Sequence, residues 1–155
     1  MIGYKYKWKR SSNERDLLKD CLPLEGVSKF FKSEDARRQK FIKIRWPDGV
    51  NCLKCKGHDG WWFSDFSHWE CKSCGTQVSP TSNTELHGTH LDLEFWFRGT
   101  EILINRNWLF VPAVQNFADL LGVHLRTATR VRKIIVEDIE QHGLLTQSVC
   151  VIEPK

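Results

Sequence analysis

Two pairs of cysteines constrain this chain of 155 residues more than any other feature. Cys52 and Cys55 form the first C-x-x-C pair, Cys71 and Cys74 form the second, and 15 residues separate the two pairs. Each pair predicts a tight turn, called a knuckle below, that brings two sulfur atoms to one side, and this spacing is typical of a zinc site. Four thiolates at ~2.3 Å close a tetrahedral shell and leave no position for a reacting water. The sequence therefore predicts one structural Zn²⁺ ion.

Two alternatives for these cysteines remain open, namely two disulfides or four unrelated buried thiols. The zinc site is favoured because no signal peptide precedes the cysteines and because disulfides are rare in a reducing cytosol. His58 and His68 lie between the two pairs and could also bind a metal ion, but four cysteines already fill the shell. Both histidines are therefore expected beside the site or in solvent. Cys21 and Cys150 lie far from the knuckles and are expected to be free thiols.

The residues around the knuckles predict a zinc ribbon. Residues 61–63 and 68–69 are read as two short strands around a turn, and residues 76–79 as a third strand. The tripeptide at 47–49, Pro-Asp-Gly, is turn chemistry because proline fixes φ and glycine tolerates a positive φ. A module of this size is too small for a sufficient core, so metal binding is expected to supply much of its folding free energy.

Positive charge is concentrated in parts of a chain whose formal net charge is +4. Residues 1–45 contain 13 Lys and Arg against 6 Asp and Glu, whereas residues 46–155 contain 10 against 13. The first part includes an arm of alternating basic and aromatic residues, whose cations are Lys5, Lys7, Lys9 and Arg10. Localised positive charge suggests a polyanionic partner, although solvated helix faces show the same pattern. No apolar run is long enough to span a bilayer and no secretory signal opens the chain, so a cytoplasmic protein without a membrane partner is expected.

Hydrophobic periodicity and capping residues predict helices on both sides of the ribbon. A short helix is expected over 13–20, and a second follows the N-cap Ser33 and ends before Trp46-Pro47, because proline disfavours a helical residue ahead of it. A third helix, over 92–106, has one apolar face at helical spacing. That face consists of Leu93, Trp96, Phe97, Thr100, Leu103 and Ile104. Residues 148–153 are read as a short C-terminal strand.

The segment 112–142 has the proportions of a helix-turn-helix. A helix over 112–121, opened by a proline, leads into a turn at 122–124 and then into a helix that starts near residue 125. Ala118 is small enough for two helices to cross, and Gly122 can adopt the positive φ that the turn needs.

The second of these helices has two different faces. Ala128, Val131 and Ile135 form an inward apolar face. The residues that point elsewhere are Arg126, Thr127, Thr129, Arg130 and Lys133. Such short polar and long basic side chains suit base edges and phosphates in a DNA major groove. The alternative is an ordinary helical hairpin with a solvated basic face, and the acidic residues that follow (Glu137, Asp138 and Glu140) are likewise expected to form a solvated face.

The predicted fold is therefore a small α+β protein, in which a zinc ribbon of three short antiparallel strands precedes a three-helix bundle of the helix-turn-helix type. A basic arm and helices come before the ribbon. The expected division is an arm with a short helix over 1–23, a helical segment over 24–46, the ribbon over 47–86, the helix-turn-helix over 87–143 and a strand or tail over 144–155.

Four stretches of the chain are distinctive. They are RWPDG (45–49), CLKC (52–55), WECKSCGTQVSPTSNTELHGTHLDLEFWF (69–97) and FADLLGVHLRTATRVRKI (117–134). Together they resemble the N-terminal part of bacterial insertion-sequence transposases, which carry a zinc ribbon, then a helix-turn-helix, then an RNase H-like catalytic domain. The resemblance runs from about Leu24 to Ile135. It implies that the four knuckle cysteines are the zinc ligands and that residues 125–136 are the recognition helix.

The chain also departs from that family. Asn83-Thr84 stands where the family usually has Gly-Thr, and residues 1–23 lie outside the similarity. Such transposases need three acidic residues, far apart in sequence, to hold two divalent metal ions for strand transfer. Their first catalytic strand is expected near 148–153, and Glu153 alone cannot form such a site. The resemblance thus implies the DNA-binding half of a transposase without its catalytic domain.

Three functions are compatible with these observations. The leading hypothesis is a sequence-specific protein for double-stranded DNA, a nucleoid-associated regulator or accessory factor, with a homodimer as one option. The second is a truncated or split transposase whose catalytic domain is encoded separately. The third is a phage or plasmid module whose ribbon docks on a host protein through Trp61, Trp62 and Trp69. No catalytic triad, phosphate-binding glycine loop or pair of carboxylates at useful spacing is found, so enzyme activity is not expected.

Overall fold

The computed structural model describes residues 12–106 and 113–152, with side chains from residue 16 onward. In chain order these residues form α1 (Ser12–Cys21), α2 (Val27–Phe30), α3 (Glu34–Arg45), β1 (Gly60–Trp62), β2 (Trp69–Cys71), β3 (Gln77–Val78), α4 (Leu93–Asn105), α5 (Val114–Leu121), α6 (Leu125–Gln141) and α7 (Leu144–Val149). They divide into two compact units. The ribbon unit spans Phe31–Leu93, and the helical unit consists of the described residues before and after it. Within this described part of the chain, no helix is long and apolar enough to cross a membrane.

The ribbon unit contains one antiparallel sheet with the strand order β1-β2-β3. Five buried residues of the sheet and the knuckles form its small core: Val50, Cys52, Trp69, Cys71 and Val78. Trp46 and Trp62 pack against this core, with their ring centroids 5.9 Å apart. The predicted small α+β fold with three short antiparallel strands is confirmed.

Helix α3 begins and ends where the sequence predicts. The Ser33 side chain accepts a hydrogen bond from the Ala36 N–H at 3.1 Å, which satisfies one of the free donors of the first turn. At the other end, the Trp46 N–H donates to the Ile42 carbonyl at 2.8 Å, and Pro47 then prevents a further turn.

The apolar face predicted for α4 forms much of the core of the helical unit. All six residues of that face are at most 5% exposed, and all but Leu93 belong to the helical unit. Gly99 lies on the same helix, and a Cβ atom added there would come within 2.7 Å of the Ile135 Cδ1 atom. The backbone of α4 therefore lies close to the α6 side chains at this point. Gly99 is a small residue at a helix crossing that sequence reasoning missed, in addition to Ala118, which is 1% exposed.

Helices α5 and α6 pack against each other across a tight turn. Gly122 has a φ of 71°, as predicted, and both its N–H and that of Val123 donate to the Ala118 carbonyl at 2.9 and 3.1 Å. This pattern satisfies carbonyl acceptors at the end of α5 and reverses the chain. The predicted start of α5 at Pro112 lies outside the described residues, and the described helix begins at Val114.

The C-terminal part of the chain differs from the prediction. Residues 144–149 form the helix α7 and not a strand, so the strand predicted over 148–153 is wrong for its described residues. Leu145, Thr146, Ser148 and Val149 are all buried, and their spacing of i, i+1, i+3 and i+4 is helical and not alternating. The apolar run after Ser148 suggested a strand, because the sequence alone does not show which neighbouring groups in the fold pack against or cap this segment.

One such neighbour is the Asp138 carboxylate. It accepts hydrogen bonds from the Leu145 N–H at 3.1 Å, the Thr146 N–H at 2.8 Å and the Thr146 hydroxyl at 2.6 Å. It therefore caps α7 from the preceding helix, and the expectation of a solvated acidic face is wrong for Asp138. Burial raises the pKa of this carboxyl, in spite of the hydrogen bonds that favour its charged form.

Candidate functional site

The two knuckles have the same backbone structure. In the first, the Lys56 N–H donates to the Cys52 carbonyl at 3.0 Å, and the Cys52 N–H donates to the Gly57 carbonyl at 2.8 Å. In the second, Gly75 and Thr76 make the equivalent contacts with Cys71, both at 2.9 Å. The backbone of each knuckle thus folds back on the first cysteine. As a result, the sulfur atoms of both cysteines in the knuckle lie on one side.

The four sulfur atoms form one cluster. The Cys52 and Cys74 sulfurs lie 3.5 Å apart, as do those of Cys55 and Cys71, and the four atoms all lie within 4.8 Å of one another. Tetrahedral coordination with Zn–S bonds of ~2.3 Å separates the sulfurs by about 3.8 Å. The arrangement therefore fits a single zinc ion with small adjustments. The two first cysteines of the knuckles are buried, whereas the two second cysteines are exposed.

Polar hydrogens around the cluster point at the sulfur atoms. The Cys55 N–H donates to Cys52 Sγ at 3.5 Å, and the Gly57 N–H donates to Cys55 Sγ at 3.4 Å. The Thr76 hydroxyl lies 3.1 Å from Cys74 Sγ, where it can donate to a thiolate. Such contacts stabilise the negative charge that metal-bound thiolates carry. Thr76 is a supporting residue that the cysteine spacing alone did not identify.

The thiols differ in how readily they lose their protons. Hydrogen bonds from Thr76 lower the pKa of Cys74 to about 6. At Cys55 the Gly57 N–H acts in the same direction, but the neighbouring thiols of Cys71 and Cys52 outweigh it and raise the pKa to about 11. Zinc binds cysteines as thiolates, so metal binding displaces the protons of these thiols.

The histidines are not part of this cluster. Among the described residues, the group with metal-ligand geometry consists of the four cysteines. His58 is exposed, and His68 Nδ1 lies 3.1 Å from the Ser67 hydroxyl, while its ring centroid lies 5.8 Å from that of Phe63 with the planes tilted by 55°. This site is a closed, all-cysteine centre for one structural zinc ion.

Residues 32–77 match the family model described as the transposase zinc-ribbon domain. This segment is similar to the zinc ribbons of transposases. Its bounds include α3, both knuckles, β1 and β2, so the match covers the ribbon part of the stretch that carried the resemblance, while residues 78–135 lie outside it. No match to a curated protein or to a solved structure was found.

The residues predicted to contact DNA lie on α6, and most of them share one face. Arg126, Thr129, Arg130 and Lys133 are exposed, whereas Thr127 is half-buried at the edge of this face. The opposite side of the helix is buried through Ala128, Val131, Ile135 and Ile139. No described carboxylate lies within ion-pair distance of the three cations of the exposed face. The other predicted contacts (Lys5, Lys7, Lys9 and Arg10) lie outside the described residues.

The start of α6 has an N-cap that the sequence did not suggest. His124 Nδ1 accepts a hydrogen bond from the Arg126 N–H at 3.3 Å, so that this side chain does what Ser or Asp usually does. Histidine is not among the residues preferred at this position, which is why no capping signal was visible. The contact fixes the first turn of α6, where Leu125 and Arg126 lie.

Proposed function

We propose that this protein is a zinc-dependent protein that binds double-stranded DNA at specific sequences. It is related to transposases and acts as a regulator or accessory factor and not as an enzyme. The observation that carries the proposal is the exposed basic face of α6, which follows a tight glycine turn and is backed by a buried apolar face. The match of residues 32–77 to a transposase zinc ribbon supports a nucleic-acid partner.

The arrangement of α5, the turn and α6 supports a helix-turn-helix mode of binding. In that mode the second helix lies in the major groove with its N-terminal residues at the base edges. Arg126 and Arg130 lie one turn apart, so both can reach one groove. An arginine can form two hydrogen bonds with a guanine base, and this contact discriminates among base pairs.

Two further candidates have an observation in their favour. The family match makes a DNA-binding subunit of a split transposase an alternative, and an adjacent gene for a catalytic domain would favour it. Docking of the ribbon on a host protein is the other, because Leu53 and Trp61 are exposed on the ribbon unit. That surface is smaller than the sequence suggested: Trp69 is 3% exposed and belongs to the core, and Trp62 packs on Trp46.

The test is binding of zinc-loaded protein to random duplex DNA at several salt concentrations. If the protein neutralises about six phosphates, the affinity falls by ~10³-fold between 50 and 200 mM salt. Replacing Arg126 and Arg130 with alanine should weaken binding, whereas Lys29→Ala, which removes an exposed cation from α2, should not. Absence of duplex binding at low salt, or an affinity that ignores salt, would exclude the proposal and favour protein docking.

A further inference from the structure

The exposed face of α6 contains an apolar group that the fold does not use. Leu125 is the first residue of α6, and it is 44% exposed. The residues that hold α6 in the helical unit, such as Ala128 and Val131, are at most 2% exposed. Leu125 therefore contributes little to the core, although it lies at the end of α6 that the proposed binding mode places nearest to the bases.

Thr129 adds a methyl group beside Leu125. The Thr129 hydroxyl donates to the Leu125 carbonyl at 2.9 Å, so its hydrogen is already used within the helix. The side chain is exposed, and its methyl group takes a different staggered position from the hydroxyl. Because residues four apart lie side by side on a helix, the Leu125 side chain and the Thr129 methyl group form a small apolar patch. Arg126 and Arg130 form the next row on the same face.

In a major groove, one base carries an apolar group at its edge, and that group is the C5-methyl of thymine. Phosphates and the other base edges are polar, so the apolar patch gains nothing from them. We propose that Leu125 and Thr129 read thymine methyl groups, and that the preferred site has thymine next to the bases contacted by Arg126 and Arg130. This inference rests on the proposed function, since it needs α6 in the groove.

The experiment begins with the duplex that wild-type protein selects from a random pool. Each thymine of that site is then replaced in turn by deoxyuridine, which pairs in the same way but lacks the methyl group. At one or two positions the affinity of the wild type should fall roughly fourfold, the factor for burial of one methyl-sized group. Leu125→Ala should bind the thymine and uracil duplexes equally at one of these positions.

Substitutions at Thr129 separate the methyl group from the hydroxyl. Thr129→Ser removes the methyl group and keeps the hydroxyl, so it should lose the preference for thymine at its position. Thr129→Val keeps a methyl group and should retain the preference. Leu120→Ala, which shortens an equally exposed leucine on α5, is the control and should bind like the wild type.

The outcomes distinguish the two proposals. If the wild type binds no duplex, the proposed function fails and this inference fails with it. If it binds with an arginine-dependent site preference but every variant responds to uracil as the wild type does, the proposed function stands and the thymine contact is excluded.

Discussion

At the scale of single residues, the knuckles show which positions the zinc ribbon constrains besides its cysteines. The residue that follows the second cysteine has a positive φ in both knuckles: 64° at Lys56 and 73° at Gly75. Glycine adopts this conformation without cost, whereas a residue with a Cβ atom does so at about 1 kcal/mol. The first knuckle therefore contains a small strain that the second avoids.

This difference predicts opposite effects at the two positions. Lys56→Gly should stabilise the zinc-loaded ribbon unit by roughly 1 kcal/mol, and Gly75→Ala should destabilise it by a similar amount. An added Cβ at Gly75 would meet no atom within 4 Å, so the penalty comes from the backbone and not from a clash. The measurement is urea unfolding at a fixed zinc concentration. Destabilisation by Lys56→Gly would mean that the lysine side chain has a role that its exposed position does not reveal.

At the scale of elements, Asp138 determines the C-terminal helix. Its carboxylate accepts three hydrogen bonds from the first turn of α7, and Gly143 leaves room for it, because a Cβ there would overlap the Asp138 carboxylate. Asp138→Ala should destabilise the helical unit by about 1–3 kcal/mol, since it leaves buried N–H groups without acceptors. Hydrogen exchange at the Leu145 and Thr146 amides measures this directly. Glu137→Ala, at an exposed neighbour, is the control, and equal exchange in the two variants would contradict the capping role.

The pH dependence of this cap has a definite sign. Burial raises the pKa of Asp138, so the folded protein binds the proton more tightly than the unfolded chain does. The stability of the helical unit should therefore fall as pH rises from the ordinary aspartate pKa through the raised value. The Asp138→Asn variant should lack this slope. An Asp138 carboxyl titration by NMR with its midpoint at or below the ordinary value would show that the hydrogen bonds outweigh desolvation.

These elements also show what the sequence could and could not predict. The apolar face of α4, the Ser33 cap and the Gly122 turn were predictable because each depends on residues close together in the chain. The helix α7 was not, since its cap comes from Asp138 on another helix. Trp69 illustrates the same limit: its place in the core rather than on a docking surface depends on the pairing of β2 with β3.

For the candidate site, the cysteine spacing was enough to predict the zinc ligands but not the residues that support them. Four cysteines in two C-x-x-C pairs identify a metal centre because the ligands and turns are local. Thr76 acts through a hydrogen bond to a sulfur atom, and His124 acts through a hydrogen bond at a helix end. Neither role can be predicted from the residue type alone. The DNA contacts stay a prediction, as no local pattern distinguishes a base-reading helix from a solvated one.

At the scale of the whole molecule, zinc removal should affect the two units differently. The ribbon unit has a small core that includes two of its own ligands, so Cys52→Ser or a chelator should unfold it. The helical unit has a separate apolar core and should keep most of its helical circular dichroism. Metal analysis should give one zinc per chain in the wild type and in Cys150→Ala. Full zinc retention after Cys52→Ser would contradict the site, and loss of all helical signal would contradict independent cores.

The last prediction concerns the separate roles of α6, which is expected to recognise bases, and of the arm, which is expected to contact phosphates or the minor groove. If Arg130 forms two hydrogen bonds with a guanine, Arg130→Ala should cost ~1–3 kcal/mol and relax the preference at one base position. The arm cations (Lys5, Lys7, Lys9 and Arg10) suit phosphates or the minor groove beside the helix. Replacing them with alanine should weaken binding to every sequence about equally. It should also flatten the salt dependence, because fewer counterions are released on binding when fewer phosphates are contacted. Selection of bound sites from random duplexes, with wild type, Arg130→Ala and the arm variant in parallel, tests both roles. An unchanged motif for Arg130→Ala together with an altered motif for the arm variant would reverse the assignment, because base reading would then belong to the arm.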